Sequence, residues 1–407
     1  MKVNLKRQNF IGPEEIKEVN KVLKSGILSS FVGAKGSNFS GGPNVKKFEK
    51  NIKKKFKVKY ALTVNSWTSG LICAVGAIGI RPGDEVILSP WTMSACVSSI
   101  LVWNAIPIFA DIEKDYYTIL PEDIEKKITK RTKAIMAIDI FGQSCDINSI
   151  KKIAKKYDLR VISDAAQAIG SKYKNKFTGT LTDIGGFSFN YHKHIHTGEG
   201  GVILTNNKHY AEKCKLIRNH GESVIDKNTK NLSKLNNLLG FNFRLGEIES
   251  VIGIQQLKKL DRIIKIKQKN AINLNKGLNS LKGLTLPKIR SNCTHVFYVY
   301  AMQYDENKTR VKKKKIINDL RKFGIPVNEK YENLSMLPII QKQRVYSESK
   351  IPWSFSKDNK IKYDLKNTDI LYKNYLGINL CSHFFTKRDI SNISKIFKAV
   401  WKKNRIM

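Results

Sequence analysis

Seven short apolar runs recur between residues 60 and 206: YALTV (60–64), EVILS (85–89), IPIFADI (106–112), AIMAIDIFG (134–142), RVISDAA (160–166), GGFSF (185–189) and GGVILTN (200–206). Their apolar residues fall on both faces of an extended chain, as in strands covered on two sides. Helix-spaced segments fit between most of them, among them EDIEKKI (122–128) and NSIKKIAKKYD (148–158). This alternation predicts an α/β fold with a mostly parallel sheet sandwiched by helices. Upstream, PEEIKEVNKVLKS (13–25) opens on Pro and acids and predicts a helix, and the Gly- and Ser-rich residues 26–45 predict a long loop. Downstream, residues 245–275 predict a long helix. The remainder (KGLTLP, HVFYVYAMQY, a lysine-rich helix, KFGIPV) predicts a smaller α/β lobe. The expected division is a large domain with its N-terminal arm over 1–260 and a small C-terminal domain over 261–407.

Composition narrows the classes. No stretch of 18 or more apolar residues predicts a membrane span. The first residues, MKVNLKRQNFIGPEE, have no apolar core of a secretory signal. The six cysteines, Cys73, Cys96, Cys145, Cys214, Cys293 and Cys381, form no CxxC pair and read as reduced thiols of a cytoplasmic protein. A net charge of +39 raises nucleic acid, an anionic membrane surface or anionic substrates as partners. The excess is mostly lysine, accompanied by much Ile and Asn, a bias that AT-rich coding DNA also gives. Clusters such as 46–59 and 312–315 read as solvated helix faces, and no recognition motif for nucleic acid accompanies them. A nucleic-acid-binding protein is thus a remote alternative.

The chemistry concentrates in residues 160–201. Asp164 directly follows an apolar strand, at the edge where open α/β sheets bind ligands. A carboxylate there suits either a protonated ring nitrogen or a plain helix cap. Lys193 stands in SFNYHK, among His192, His194 and His196. An amine that is to attack a carbonyl must be neutral near pH 7, which desolvation and neighbouring positive groups favour. Ser188 can donate to a phosphate, and TGEGG (197–201) allows close backbone approach. The three histidines lack an H-E-x-x-H pattern or a Cys partner, so no metal site is expected. At 64–71, VNSWTSGL reads as a strand-to-helix junction with hydroxyls at the helix start, suited to an anion or to simple capping by Ser66 or Thr68.

Taken together, SDAAQAIG (163–170), SFNYHKHIHTGEGG (188–201), NSWTSGL (65–71), PGDEVILSPWT (82–92), TKAIMAIDIFGQ (132–143), IRNHG (217–221) and GFNFR (240–244) resemble the DegT/StrS-like sugar aminotransferases. These are fold-type I pyridoxal-phosphate (PLP) enzymes, and the resemblance runs over roughly residues 10–340. It implies a large seven-stranded-type, mostly parallel sheet domain and a smaller C-terminal α/β domain. It further implies that Lys193 carries the cofactor and shuttles the substrate proton, and that Asp164 holds the pyridinium nitrogen. Gln167 would lie beside the phenolic oxygen. Ser188, Ser66 and the backbone at Trp67 and Thr68 would hold phosphate. Asn242 would reach the partner's phosphate in a homodimer.

Three departures stand out. Trp67 replaces the usual Gly of the phosphate cup. The aromatic ring that stacks on the cofactor is replaced by Met93, or supplied by a displaced Trp91. The substrate-lobe motif is INLCSHFFTKRD (378–389). Counting from Ser188 by the family spacing Ser-Phe-x-x-x-Lys lands on Lys193, which favours transamination over the chemistry of members with His there. The implied reaction moves an amino group from an amino acid, L-glutamate by family habit, to a keto sugar. That sugar is nucleotide-linked in the family and belongs to polysaccharide or glycoconjugate synthesis. The alternative within the resemblance is a PLP-dependent sugar dehydratase or another non-transaminating enzyme.

Overall fold

The computed structural model describes residues 2–224, 239–356 and 363–406. Helix α1 (Pro13–Ser25) starts on proline with Glu14 and Glu15 in its first turn and stops at Gly26, which takes the left-handed φ of 68°. Helix α2 (Pro43–Phe56) turns Val45, Phe48, Ile52 and Phe56 inward and leaves most of its lysines in water. The expected loop over 26–45 is therefore shorter, because Pro43 already opens α2.

The seven apolar runs become the seven strands of one sheet. They are β1 (Tyr60–Val64), β2 (Glu85–Leu88), β3 (Ile106–Phe109), β4 (Thr132–Ile138), β5 (Arg160–Asp164), β8 (Ile184–Ser188) and β9 (Gly201–Thr205), with the small ribbon β6 (Lys172–Tyr173) and β7 (Lys176–Phe177) inserted after β5. The spatial order is β1-β9-β8-β5-β4-β2-β3, with β9 antiparallel to both neighbours and the remaining pairs parallel. Every residue of β2, β3, β8 and β9 is buried, which is why these strands show no alternation. Helices α3 (Trp67–Ala77), α4 (Ala95–Leu101), α5 (Pro121–Lys126), α6 (Ile147–Lys156) and α7 (Lys208–Arg218) cover the sheet. Helix α6 buries Ile147, Ile150, Ile153 and Ala154 on one stripe, each large side chain contributing about 1.5–3 kcal/mol. The run 134–142 ends as a strand at Ile138. There Asp139 accepts from Cys145 N at 2.9 Å, and Phe141 turns to φ 59°.

Helix α8 (Glu247–Leu278) then runs unbroken for 32 residues. The domain change expected near 260 falls inside it: its first half packs through Ile254, Leu257 and Leu260 on the cluster of the large lobe that holds Phe48 and Phe187, its last turns on a second core through Leu274 and Leu278. A buried stripe, apolar at both ends and carrying Lys267 and Asn270 between them, continues along the helix, so no linker separates the two lobes. The second lobe holds β10 (Leu284–Thr285), β11 (Val299–Tyr304), α9 (Glu306–Thr309), α10 (Lys313–Lys322), β12 (Val327–Asn328), α11 (Pro338–Gln341), α12 (Lys366–Asn374), β13 (Tyr375–Asn379) and α13 (Lys387–Lys403). Its sheet is antiparallel, in the order β10-β11-β13-β12. The N-terminal arm, expected with the large domain, joins this lobe: Val3 is buried in the second core and its N–H bonds Phe323 O at 2.8 Å. In the other direction Leu334, Ile340, Trp353 and Leu365 return to the large core. The two lobes thus close over the ends of β4, β5 and β8.

Candidate functional site

Sheet register places the chemistry. Ile138 of β4 pairs with Asp164 of β5, and Asp164 pairs with Gly186 of β8. At this edge lies a cavity of about 360 Å³ lined by Ser66, Trp67, Thr68, Met93, Asp164, Gln167, Ser188 and Lys193 from the large lobe, with Tyr298, Tyr331 and Glu332 from the chain's second half. A larger groove of about 1110 Å³, lined by Lys55, Lys57, Lys151, Lys172, Lys176 and Lys265, shares no residue with it. Its lysines are surface cations, whereas the smaller cavity gathers an acid, an amine and a helix start.

Lys193 is 8% exposed, and its ammonium sits 4.7 Å from the centroid of the Tyr298 ring. Burial pulls its amine down to about 8, against the opposing pull of the Asp164 charge. The histidines do not act as the positive neighbours expected of them. Burial pushes His192 and His194 down to about 4 and lowers His196, so the rings are neutral at pH 7 and desolvation is what lowers Lys193. His194 is fully buried and its Nε2 meets Val296 O at 2.8 Å, which gives it a packing role. Among the described residues no group of His, Cys, Asp and Glu is arranged to hold a metal ion.

Asp164 closes β5 and is 6% exposed. Its Oδ1 accepts from Trp67 Nε1 at 2.7 Å and from Ala166 N at 3.0 Å, and its Oδ2 from Cys96 Sγ at 3.1 Å. It therefore holds the turn that follows β5, where no helix begins, and also faces the cavity. Beside it, burial raises Asp139 to about 7. Gln167 accepts from Phe141 N at 2.9 Å and donates through Nε2 to Tyr331 Oη at 2.7 Å.

At the opposite end, Ser66 caps α3 by accepting from Ser69 N at 3.1 Å. The N–H groups of Trp67 and Thr68 head the helix without intrahelical acceptors, in the same cavity wall as the buried Ser188 hydroxyl. Gly201 has to lack a side chain here, since a Cβ on it would lie 2.7 Å from Trp67 N. An anion seat at one end, an acid at the other and a desolvated amine on the wall fit pyridoxal phosphate. Ser66, Ser188 and the α3 N-terminus would hold its phosphate, Asp164 its ring nitrogen and Lys193 its aldehyde carbon.

Met93 lines the mouth and is 59% exposed. Trp91 does not line the cavity; it is fully buried behind Tyr331, its ring stacked on that tyrosine at 6.0 Å and 12°. Trp91 therefore cannot stack on a ligand in the cavity, and Met93 is the candidate that touches it. Asn242 is exposed, outside this cavity, and bridges Asn219. Sequence reasoning missed Tyr298, Tyr331, Glu332, Cys96 and Asp139. The first three come from the far lobe, where only the fold could bring them in.

A family model described as the DegT/DnrJ/EryC1/StrS aminotransferase family matches residues 10–361. Spore coat polysaccharide biosynthesis protein SpsC of Bacillus subtilis is 34% identical over 348 residues, 84% of this chain and 87% of that one. GDP-perosamine synthase of Escherichia coli is 36% identical over 281 residues, 69% of this chain and 74% of that one. Helicobacter pylori PseC, an aminotransferase involved in the biosynthesis of pseudoaminic acid, superposes with a TM-score of 0.81 at 26% identity, covering 99% of this chain and 100% of that one.

Proposed function

Because the chain belongs to the DegT/DnrJ/EryC1/StrS aminotransferase family and is a PLP-dependent transaminase, we propose that it moves an amino group from L-glutamate to the keto group of a nucleotide-linked sugar. The observation that carries the reading is the buried Lys193 amine in one cavity with Asp164 and the free start of α3. The relatives named for polysaccharide and perosamine synthesis support a sugar acceptor.

When bound, pyridoxal phosphate supplies an electron sink that stabilises negative charge on the substrate carbon. Asp164 favours the protonated ring nitrogen, through charge, and so keeps that sink strong. Lys193 Nζ, neutral in part near pH 7, would hold the cofactor and, as a free amine, would take the proton from the substrate carbon and return it. Tyr298 and Tyr331 roof the cavity and shield that transfer from water. Asn242, exposed and apart from this chain's own cavity, is placed by this reading at the phosphate of a partner copy in a homodimer.

Incubating the cofactor-loaded protein with L-glutamate tests the proposal. The yellow absorbance is expected to bleach with release of one equivalent of 2-oxoglutarate, and a nucleotide-linked keto sugar to restore it. Bleaching by no amino acid would reject transamination by this chain. A second expectation concerns pH. Only the neutral amine attacks the aldehyde, so cofactor uptake by the apo-protein should speed up as pH rises through about 8 and level off above it. A midpoint at the ordinary lysine value of about 10.4 would show that burial does not tune this amine.

A further inference from the structure

We propose that Trp67 is a positioning residue for Asp164: its indole N–H fixes one carboxylate oxygen and thereby turns the other toward the cofactor's ring nitrogen. The inference rests on the pyridoxal phosphate reading above and adds to it a side chain that the phosphate seat does not require, since any residue but proline at 67 offers the backbone N–H.

The two oxygens of Asp164 are held unequally. Oδ1 takes two N–H donors, Trp67 Nε1 at 2.7 Å and Ala166 N at 3.0 Å. Among the described residues Oδ2 takes only the thiol of Cys96 at 3.1 Å, a weak donor that also meets Thr92 Oγ1 at 3.3 Å. Oδ2 is thus the oxygen that can exchange its present partner for a stronger one, and charged N–H donors are about twice as strong as neutral ones.

The surroundings are shaped to this ring. Gly186, the strand partner of Asp164, lies against it, and a Cβ there would stand 2.1 Å from Trp67 Cζ3. On the helix side, a Cβ at Gly70 would stand 2.5 Å from Trp67 Cε3. Gly186 and Gly70 thus leave the volume that the indole fills, with the ring 5% exposed and its N–H on the carboxylate. Trp67 is also the first residue of α3, whose free N–H groups form the anion seat. One residue therefore ties the phosphate end of the cavity to its acid end, and the carboxylate is set relative to the helix that would grip the cofactor.

The test begins on the apo-protein. Of the five tryptophan indole N–H resonances, the one lost in Trp67→Phe is expected to be slow to exchange, and Asp164→Ala should move it and speed its exchange. In the loaded enzyme, Trp67→Phe keeps an aromatic side chain but removes the indole N–H together with part of the buried bicycle. It should retain the yellow band and the KM of both substrates within about twofold, and lose about 10- to 100-fold in kcat. Wild-type kcat in that variant, or an indole resonance indifferent to Asp164→Ala, would overturn the proposal. Should Trp67→Phe not fold, the resonance can be assigned by elimination with Phe at the other four tryptophans, and the Asp164→Ala measurement still decides. A wild-type protein that takes up no cofactor would sink the underlying reading, an outcome separate from the indole response.

Discussion

Lys193→Ala is expected to fold, to show no band of lysine-bound cofactor, and to turn over at least about ten-thousand-fold more slowly, since attachment and proton transfer are lost together. The fold should survive because Lys193 forms no ion pair among the described residues; its ammonium has the face of Tyr298, worth about 0.5–2 kcal/mol. Against that contact stands the cost of burying the charge, visible in the fall of the amine to about 8. The melting temperature is therefore expected to stay within a few degrees of wild type or to rise. Lys193→Arg sharpens the experiment. It keeps a cation at the site but cannot become neutral, so it should be as inactive as alanine. An arginine variant with wild-type turnover would mean that position 193 supplies only charge, and the assignment would fall.

Much of this site was legible before the fold was known, for a physical reason. Groups at the edge of a parallel sheet sit at the ends of apolar strands, so Asp164 and Ser188, which line the cavity, are marked by the runs they close. The strands themselves stand out because burial on both faces leaves few polar residues in them. Contacts between distant segments left no such mark. Tyr331 reaches Gln167 across 164 positions, and Trp67 reaches Asp164 across 97, so neither pairing has a local pattern. Trp67 was noticed as an oddity of the anion seat. That its side chain leaves the seat and turns back to the acid depends on the empty space at Gly186, which only strand pairing puts beside it. The histidines misled for the converse reason. Three of them beside a lysine look like a positive cluster, but burial keeps the rings neutral, and sequence proximity does not report burial. The lobe boundary expected near 260 falls within α8, whose buried stripe two different cores share, so no local break marks it.

Asp164→Asn separates holding the cofactor from activating it. The amide is isosteric with the acid, and its oxygen can keep both bonds now made by Oδ1, to Trp67 Nε1 and Ala166 N. Trp67 thereby dictates the orientation of the amide, because its N–H demands the oxygen. The NH2 group is left where Oδ2 now stands, beside Cys96. That group is neutral and donates, so it repels a ring N–H and gives no charge to favour the protonated nitrogen. Cofactor should still bind through the α3 start, Ser188 and Lys193, and the yellow band should form. Turnover should drop about 100- to 1000-fold or more, the scale seen when one electrostatic stabiliser of a transition state is removed, about 2.7–4 kcal/mol. The loss should lie in kcat with the KM values little changed, because the sink matters only once the substrate carbon gives up its proton. The measurement is a steady-state kcat alongside a cofactor dissociation constant read from absorbance. Near-normal kcat with intact cofactor binding would show that some other group supports the ring nitrogen. Lost binding with normal specific activity per bound cofactor would recast Asp164 as an anchor and leave the electron sink unexplained by this chain.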